Sequence, residues 1–107
     1  MIKKSVIGLL NVNLQDGQKL SAETLADQLD VVSEDKWNVF VDEDDSICIE
    51  RALCDKDLKF IITKAYHRYD SFIIFLKMDR RQYPPVCRTG FNPSESLILE
   101  LLSWIAA

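Results

Sequence analysis

The sequence predicts an α+β fold, a mainly antiparallel sheet of four to five strands with two helices packed on it. Short runs in which apolar and polar residues alternate predict the strands, and two stretches with apolar residues three or four positions apart predict the helices. The chain has 107 residues, of which 48% are hydrophobic and 28% charged. We therefore expect one globular domain spanning residues 1–107.

The first predicted element lies in residues 5–14. The alternation from Leu10 to Leu14 is typical of a half-buried strand, although Ile2, Val6 and Leu10 also fit a helical stripe. The sequence therefore permits either a strand or a helix in this segment.

A helix is predicted from Ser21 to about Leu29. Ser21 is a favourable residue for the start of a helix, and Leu25 and Leu29 lie four positions apart on one face. We expect this face to pack on the sheet.

A hairpin with an acidic loop is predicted next. Residues 36–42 and 47–51 alternate between apolar and polar side chains, as half-buried strands do, and the run Asp42–Asp45 lies between them.

Two further strands are predicted in residues 59–66 and 71–78. The run Phe72–Leu76 is apolar at every position, which predicts an interior strand covered on both faces. The pattern loosens from Asp79 to Gly90, where Pro84–Pro85 excludes a central strand.

The last element is a helix with a clear start signal. Asn92 can cap it, Pro93 suits the first helical position, and Glu95 stands three residues after the cap. Its apolar face would consist of Leu97, Ile98, Leu101, Leu102 and Ile105.

Candidate catalytic residues are few. His67 is the single histidine, and Cys87 and Asp70 could be nominated as its nucleophile and orienting carboxylate. Nothing in their spacing distinguishes this trio from chance, so a structural role for His67 is favoured. We expect the protein not to be an enzyme.

No metal or cofactor is predicted. The possible zinc ligands Cys48, Cys54, His67 and Cys87 lack the close pairs typical of zinc sites. The start of a calcium loop at Asp42 has Ile47 where that loop needs glycine. Three glycines are too few for the common nucleotide-binding loops.

The sequence predicts a cytoplasmic protein. No segment resembles a secretory signal, and no uncharged apolar run approaches the length that spans a bilayer, so no membrane association is expected. Three cysteines cannot all pair within the chain, which favours a reducing compartment.

Charge is unevenly distributed along the chain. The whole chain carries a net charge of −4, but the segment from Glu23 to Asp57 has twelve acidic and three basic residues, a net of −9. On the predicted layout several of these acids could share one rim of the sheet. Such a rim would repel nucleic acid and attract a basic protein partner.

The candidate partner-binding residues are the acids of this rim that lie in loops and turns. They are Glu34, Asp35, Asp42, Glu43, Asp44, Asp45, Asp55 and Asp57. A merely solvated surface is the alternative, since acidic turns also serve solubility. Four consecutive acids repel one another, and a cationic partner would relieve that repulsion.

A group of basic and aromatic residues follows in the second half. Its members are Lys64, Tyr66, His67, Arg68, Tyr69, Lys77, Arg80, Arg81, Tyr83 and Arg88. The group could be a nucleic-acid face with stacking rings. The acidic first half and a pI near 4.9 disfavour that interpretation.

In size, charge segregation and the acidic stretch Asp42–Asp45, the chain resembles bacterial immunity proteins, including those of contact-dependent growth inhibition systems. The resemblance implies an inhibitor that binds and neutralises a basic toxin, a nuclease in the leading version. The chain also looks like a type III secretion chaperone, which would be dimeric. A small enzyme using His67 is the third hypothesis.

Overall fold

The computed structural model describes residues 23–29, 37–64 and 72–106. Residues 23–29 are helical (α1), and the second helix is Glu95–Ala106 (α2). The strands are Asn38–Val41 (β1), Ile47–Leu53 (β2), Lys56–Ile62 (β3), Ile73–Asp79 (β4) and Val86–Phe91 (β5). The strand predicted in residues 5–14, together with Ser21 and His67, lies outside the described residues.

The five strands form one antiparallel sheet in the order of the chain. Each strand pairs with the next, so every connection is a hairpin and β1 and β5 are the outer strands of the described sheet. The predicted α+β fold is confirmed, and so is the hairpin around Asp42–Asp45.

One face of the sheet, which we call the helix face, carries the core. Residues that are directly paired point to the same side, so Ile49, Phe60 and Phe75 form a row across β2, β3 and β4 on this face. They pack with Leu25, Ala26 and Leu29 of α1 and with Ile98, Leu101, Leu102 and Ile105 of α2. Burial of these side chains stabilises the fold by roughly 1.5–3 kcal/mol for each large one.

The other face, which we call the open face, carries no helix in the described part of the chain. The sequence predicted that β4 is an interior strand covered on both faces, and only the first part of that prediction is right. The strand is interior, with neighbours on both sides, but Ile74, Leu76 and Met78 on the open face are half-buried, whereas Phe75 on the helix face is 3% exposed.

β5 was missed by the sequence analysis. Pro84–Pro85 precedes it, and an outer strand needs neither an apolar alternation nor two bonded neighbours, so prolines that exclude a central strand permit this one. β3 also begins three residues earlier than predicted. Cys54 and Asp55 form a two-residue turn in which Cys54 adopts a φ of 54°. Cysteine is not among the residues that indicate such a turn in a sequence.

The cap of α2 was assigned to the wrong residue. Ser94 caps the helix, because its Oγ accepts a hydrogen bond from the N–H of Leu97 at 3.2 Å. Asn92 instead continues the pairing of β5 with β4. Its N–H donates to the carbonyl of Ile73, and its side-chain Oδ1 accepts from the N–H of Ile73. The φ of Asn92 is 46°. Within the described residues, neither helix is long and apolar enough to span a membrane.

Candidate functional site

The connection between β1 and β2, Asp42–Asp45, is called the acidic turn below. Asp42 organises it: its Oδ1 accepts hydrogen bonds from the N–H groups of Asp44 at 2.9 Å and Ser46 at 3.0 Å. Its backbone N–H donates to the carbonyl of Ser46, and its carbonyl accepts from the N–H of Asp45. Asp45 takes a left-handed φ of 59°, which aspartate tolerates better than most residues. The turn therefore has a fixed conformation.

The four carboxylates of the acidic turn have different surroundings. Asp42 is half-buried, and its Oδ2 accepts a hydrogen bond from the thiol of Cys48 at 3.5 Å. Asp45 forms an ion pair with Lys64 at 3.5 Å. Glu43 and Asp44 are exposed, and their side chains have no partner among the described residues. Among the described residues, two carboxylates of the turn thus remain for an external cation.

Cys48 lies on the open face beside this turn and is fully buried. Burial raises the pKa of its thiol to about 11, with Lys59 opposing the shift and Asp42 adding to it. The thiol stays protonated at neutral pH and acts as a hydrogen-bond donor, which makes Cys48 a structural residue and not a nucleophile.

The described acids of the predicted rim do not all lie at one end of the sheet. Asp55 and Asp57 lie at the opposite end of β2 from the acidic turn, because successive hairpins of an antiparallel meander fall at alternate ends. Seven residues of extended chain separate the two ends by about 20 Å. Asp57 forms an ion pair with Arg80, and Glu34 and Asp35 lie outside the described residues.

A groove of about 530 Å³ lies on the open face towards the Asp55 end of the sheet. Its apolar lining comes from Ala52, Leu76 and Met78, and Glu50 and Lys59 lie opposite each other across β2 and β3. Asp57, a predicted partner-binding residue, also lines the groove, but no sequence argument had selected the residues just named as functional. The alternation Cys48, Glu50, Ala52 was a signal for a mixed second face, but only the pairing of three strands brings them together.

The basic and aromatic group does not form one cationic face. Lys64, Arg80 and Arg81 each pair with an aspartate, namely Asp45, Asp57 and Asp79. Lys77 and Arg88 are the described basic members of the group without such a pair. Tyr66, His67, Arg68 and Tyr69 lie outside the described residues.

The nominated catalytic trio stays a prediction, since His67 and Asp70 lie outside the described residues and Cys87 is an exposed residue of β5. Over residues 23–29, 37–64 and 72–106, no group of three or more histidine, cysteine, aspartate or glutamate side chains could hold a metal ion.

No family model, curated protein or solved structure matches this chain. The structure defines a small α+β domain with one helix-covered sheet face, a second face that carries a groove, and a rigid acidic turn. Its function has to be inferred from these features.

Proposed function

We propose that the protein is a binding protein of the immunity type, which neutralises a basic toxin by binding it, and that it is not an enzyme. The observation that carries the proposal is the acidic turn, in which Asp42 holds Glu43 and Asp44 exposed and without a cationic partner in the described chain. A nuclease is the leading partner, because enzymes that hold nucleic acid carry basic surface.

A preorganised charge cluster suits this function. Because Asp42 already fixes the backbone of the turn, little conformational entropy is lost when a partner binds Glu43 and Asp44. The net charge of −9 over residues 23–57 adds long-range attraction, which raises the association rate for a basic partner.

The open face would supply the apolar part of the interface. A protein interface of ordinary size covers about 800 Å² of each partner. That is enough to reach from the acidic turn to the groove, because Glu50 in the groove lining lies only three residues along β2 from Ile47. Leu76 and Met78 in the groove are half-buried and could be covered by the partner. Asp57 at this end of the face pairs with Arg80, so the acidic turn supplies the attraction for a basic partner.

The proposal includes a cytoplasmic location. Cys48, Cys54 and Cys87 are all free thiols, which is ordinary in a reducing compartment.

The test begins with a pulldown on the immobilised protein from its native host, followed by association and dissociation rates for the basic protein recovered. Asp44→Lys should slow association severalfold at low salt and lose that effect near 1 M salt, where the screening length falls to about 3 Å. Glu100→Lys is the matched control, because Glu100 is an exposed acid on α2 and the change in net charge is the same.

An Asp44→Lys variant that associates as fast as the wild type, with the same salt dependence, would contradict a role for the acidic turn. Equal slowing by both variants would show that net charge alone attracts the partner. Recovery of no basic protein that inhibits growth or cleaves nucleic acid would contradict the immunity function itself.

A further inference from the structure

Two cations face each other at one side of the helix face. Lys77 of β4 and Arg88 of β5 are directly paired in the register of the sheet, so both side chains leave the same face about 5 Å apart at Cβ. Lys77 is half-buried and Arg88 is exposed. Like charges placed directly opposite each other destabilise a sheet, unless an anion lies between them.

The carboxylate two residues along β4 from Lys77, on the same face, is already engaged. Asp79 accepts hydrogen bonds from Nε of Arg81 at 2.9 Å and Nη2 at 2.6 Å, and a third from the Arg81 N–H at 3.0 Å. Neither Lys77 nor Arg88 has a carboxylate partner among the residues that the structure describes. Within the described part of the chain the pair therefore keeps an uncompensated charge of +2.

A cavity of about 200 Å³ opens between these cations and the end of α2. Its lining consists of Lys77, Asp79, Gln82, Val86, Arg88 and Trp104. Nζ of Lys77 lies 4.5 Å from the centre of the Trp104 ring, and the guanidinium carbon of Arg88 lies 6.0 Å from that of Phe75. Both rings attract the cations, and the Trp104 ring, which lines the cavity, holds Lys77 there.

We propose that this cavity binds a phosphate group, either as the free anion or as a small phosphate monoester. A phosphate monoester carries a charge of about −1.5 to −2 at neutral pH, which matches the two cations. The guanidinium of Arg88 can bind two phosphate oxygens at once, and Lys77 supplies a compact positive charge. Gln82 adds an amide donor, while Trp104 and Val86 offer an apolar wall to an organic substituent.

The experiment is a titration followed by NMR of the Trp104 indole N–H, assigned with Trp104→Phe. Inorganic phosphate and phenyl phosphate should each give a saturable shift, and acetate at the same ionic strength should give none. Tighter binding of phenyl phosphate would identify the ligand as a monoester, and equal affinity would identify it as the free anion. Phosphate should also raise the melting temperature of the protein.

Lys77→Gln and Arg88→Gln should each weaken phosphate binding about tenfold or more, because each removes a charge-assisted hydrogen bond. Lys59→Gln is the matched control and should bind as the wild type does. Lys59 is also half-buried with Nζ near an aromatic ring, 5.7 Å from the centre of Phe40, but it lies on the open face.

Arg88 is exposed on an outer strand, so Arg88→Gln should stay folded even if Lys77→Gln does not. Unchanged affinity in a folded Arg88→Gln variant would overturn the proposal. So would an equal shift with acetate, or equal weakening by Lys59→Gln, since either result would mean that phosphate acts through general charge screening.

Discussion

Nζ of Lys56 donates a hydrogen bond of 2.9 Å to the backbone carbonyl oxygen of Trp104, and so joins the start of β3 to the last turn of α2. That turn contains no basic residue of its own, and the carbonyl groups at the end of a helix have no partner within it. Lys56 supplies both the donor and the positive charge that the end of the helix dipole favours. This contact explains why a lysine that is only 3% exposed faces the core.

Replacing Lys56 with methionine should lower the free energy of unfolding by about 1–3 kcal/mol, because the apolar stem is kept while a charged hydrogen bond is lost. Lys59→Met, on the open face, should change it by less than about 0.5 kcal/mol. Urea unfolding of both variants measures the difference. Equal stability of Lys56→Met and the wild type would mean that the carbonyl of Trp104 finds another donor.

Gly90 lies directly opposite Phe75 in the pairing of β4 with β5, and the ring of Phe75 covers it. A Cβ added at Gly90 would lie 2.7 Å from Cζ of Phe75 and closer still to Cε1. Gly90→Ala should therefore destabilise the protein by about 1–3 kcal/mol, as overpacking of a core does.

A double-mutant cycle tests the cause. If the clash is with the ring, Gly90→Ala should cost less in a Phe75→Leu background than in the wild type, and thermal unfolding should show this coupling. Thr89→Ala, one position away and on the other face, is the control. If the two changes lowered the free energy of unfolding additively, the effect of Gly90→Ala would not come from a clash with the Phe75 ring.

The three thiols should differ in reactivity. Cys54 and Cys87 are exposed, whereas Cys48 is buried with its pKa raised to about 11. At pH 8 a disulfide reagent should modify two thiols quickly, and the third only as fast as the protein unfolds. Cys48→Ala should keep both fast thiols, and a loss of one of them in that variant would show that Cys48 had been accessible.

The same shift predicts a dependence of stability on pH. Because the folded state holds the Cys48 proton more tightly than the unfolded state, the free energy of unfolding should fall as pH rises from about 9 towards 11. Cys48→Ala should lack this component of the decline.

Asp79 should give the opposite dependence. The side chain of Arg81 lowers the pKa of its carboxyl from 3.8 to about 2, against the opposing effect of burial. The interaction of Asp79 with Arg81 therefore stabilises the folded state above about pH 4, and this contribution is lost as pH falls from 4 to 2. The stability gap between the wild type and Asp79→Asn, measured by urea unfolding, should narrow over that range. Asp44→Asn is the control, and a gap that stays constant for Asp79→Asn would refute the role of Arg81.

Local patterns in the sequence were enough to predict the hairpin around the acidic turn, the buried face of α1 and the apolar face of α2. Each depends on residues within a few positions of one another, where the period of the side chains follows directly from backbone geometry. The turn at Cys54 and the cap at Ser94 were missed, because several residues compete for those places and local signals do not separate them.

The sequence by itself determined the α+β class, the segregation of charge and the exposed acids Glu43 and Asp44. Only the tertiary structure decided which charges meet. Strand order put Asp55 and Asp57 at the far end from the acidic turn, and strand register put Lys77 opposite Arg88. The physical reason is that electrostatic interactions depend on distance in space, and the pairing of strands sets that distance for residues far apart in the chain.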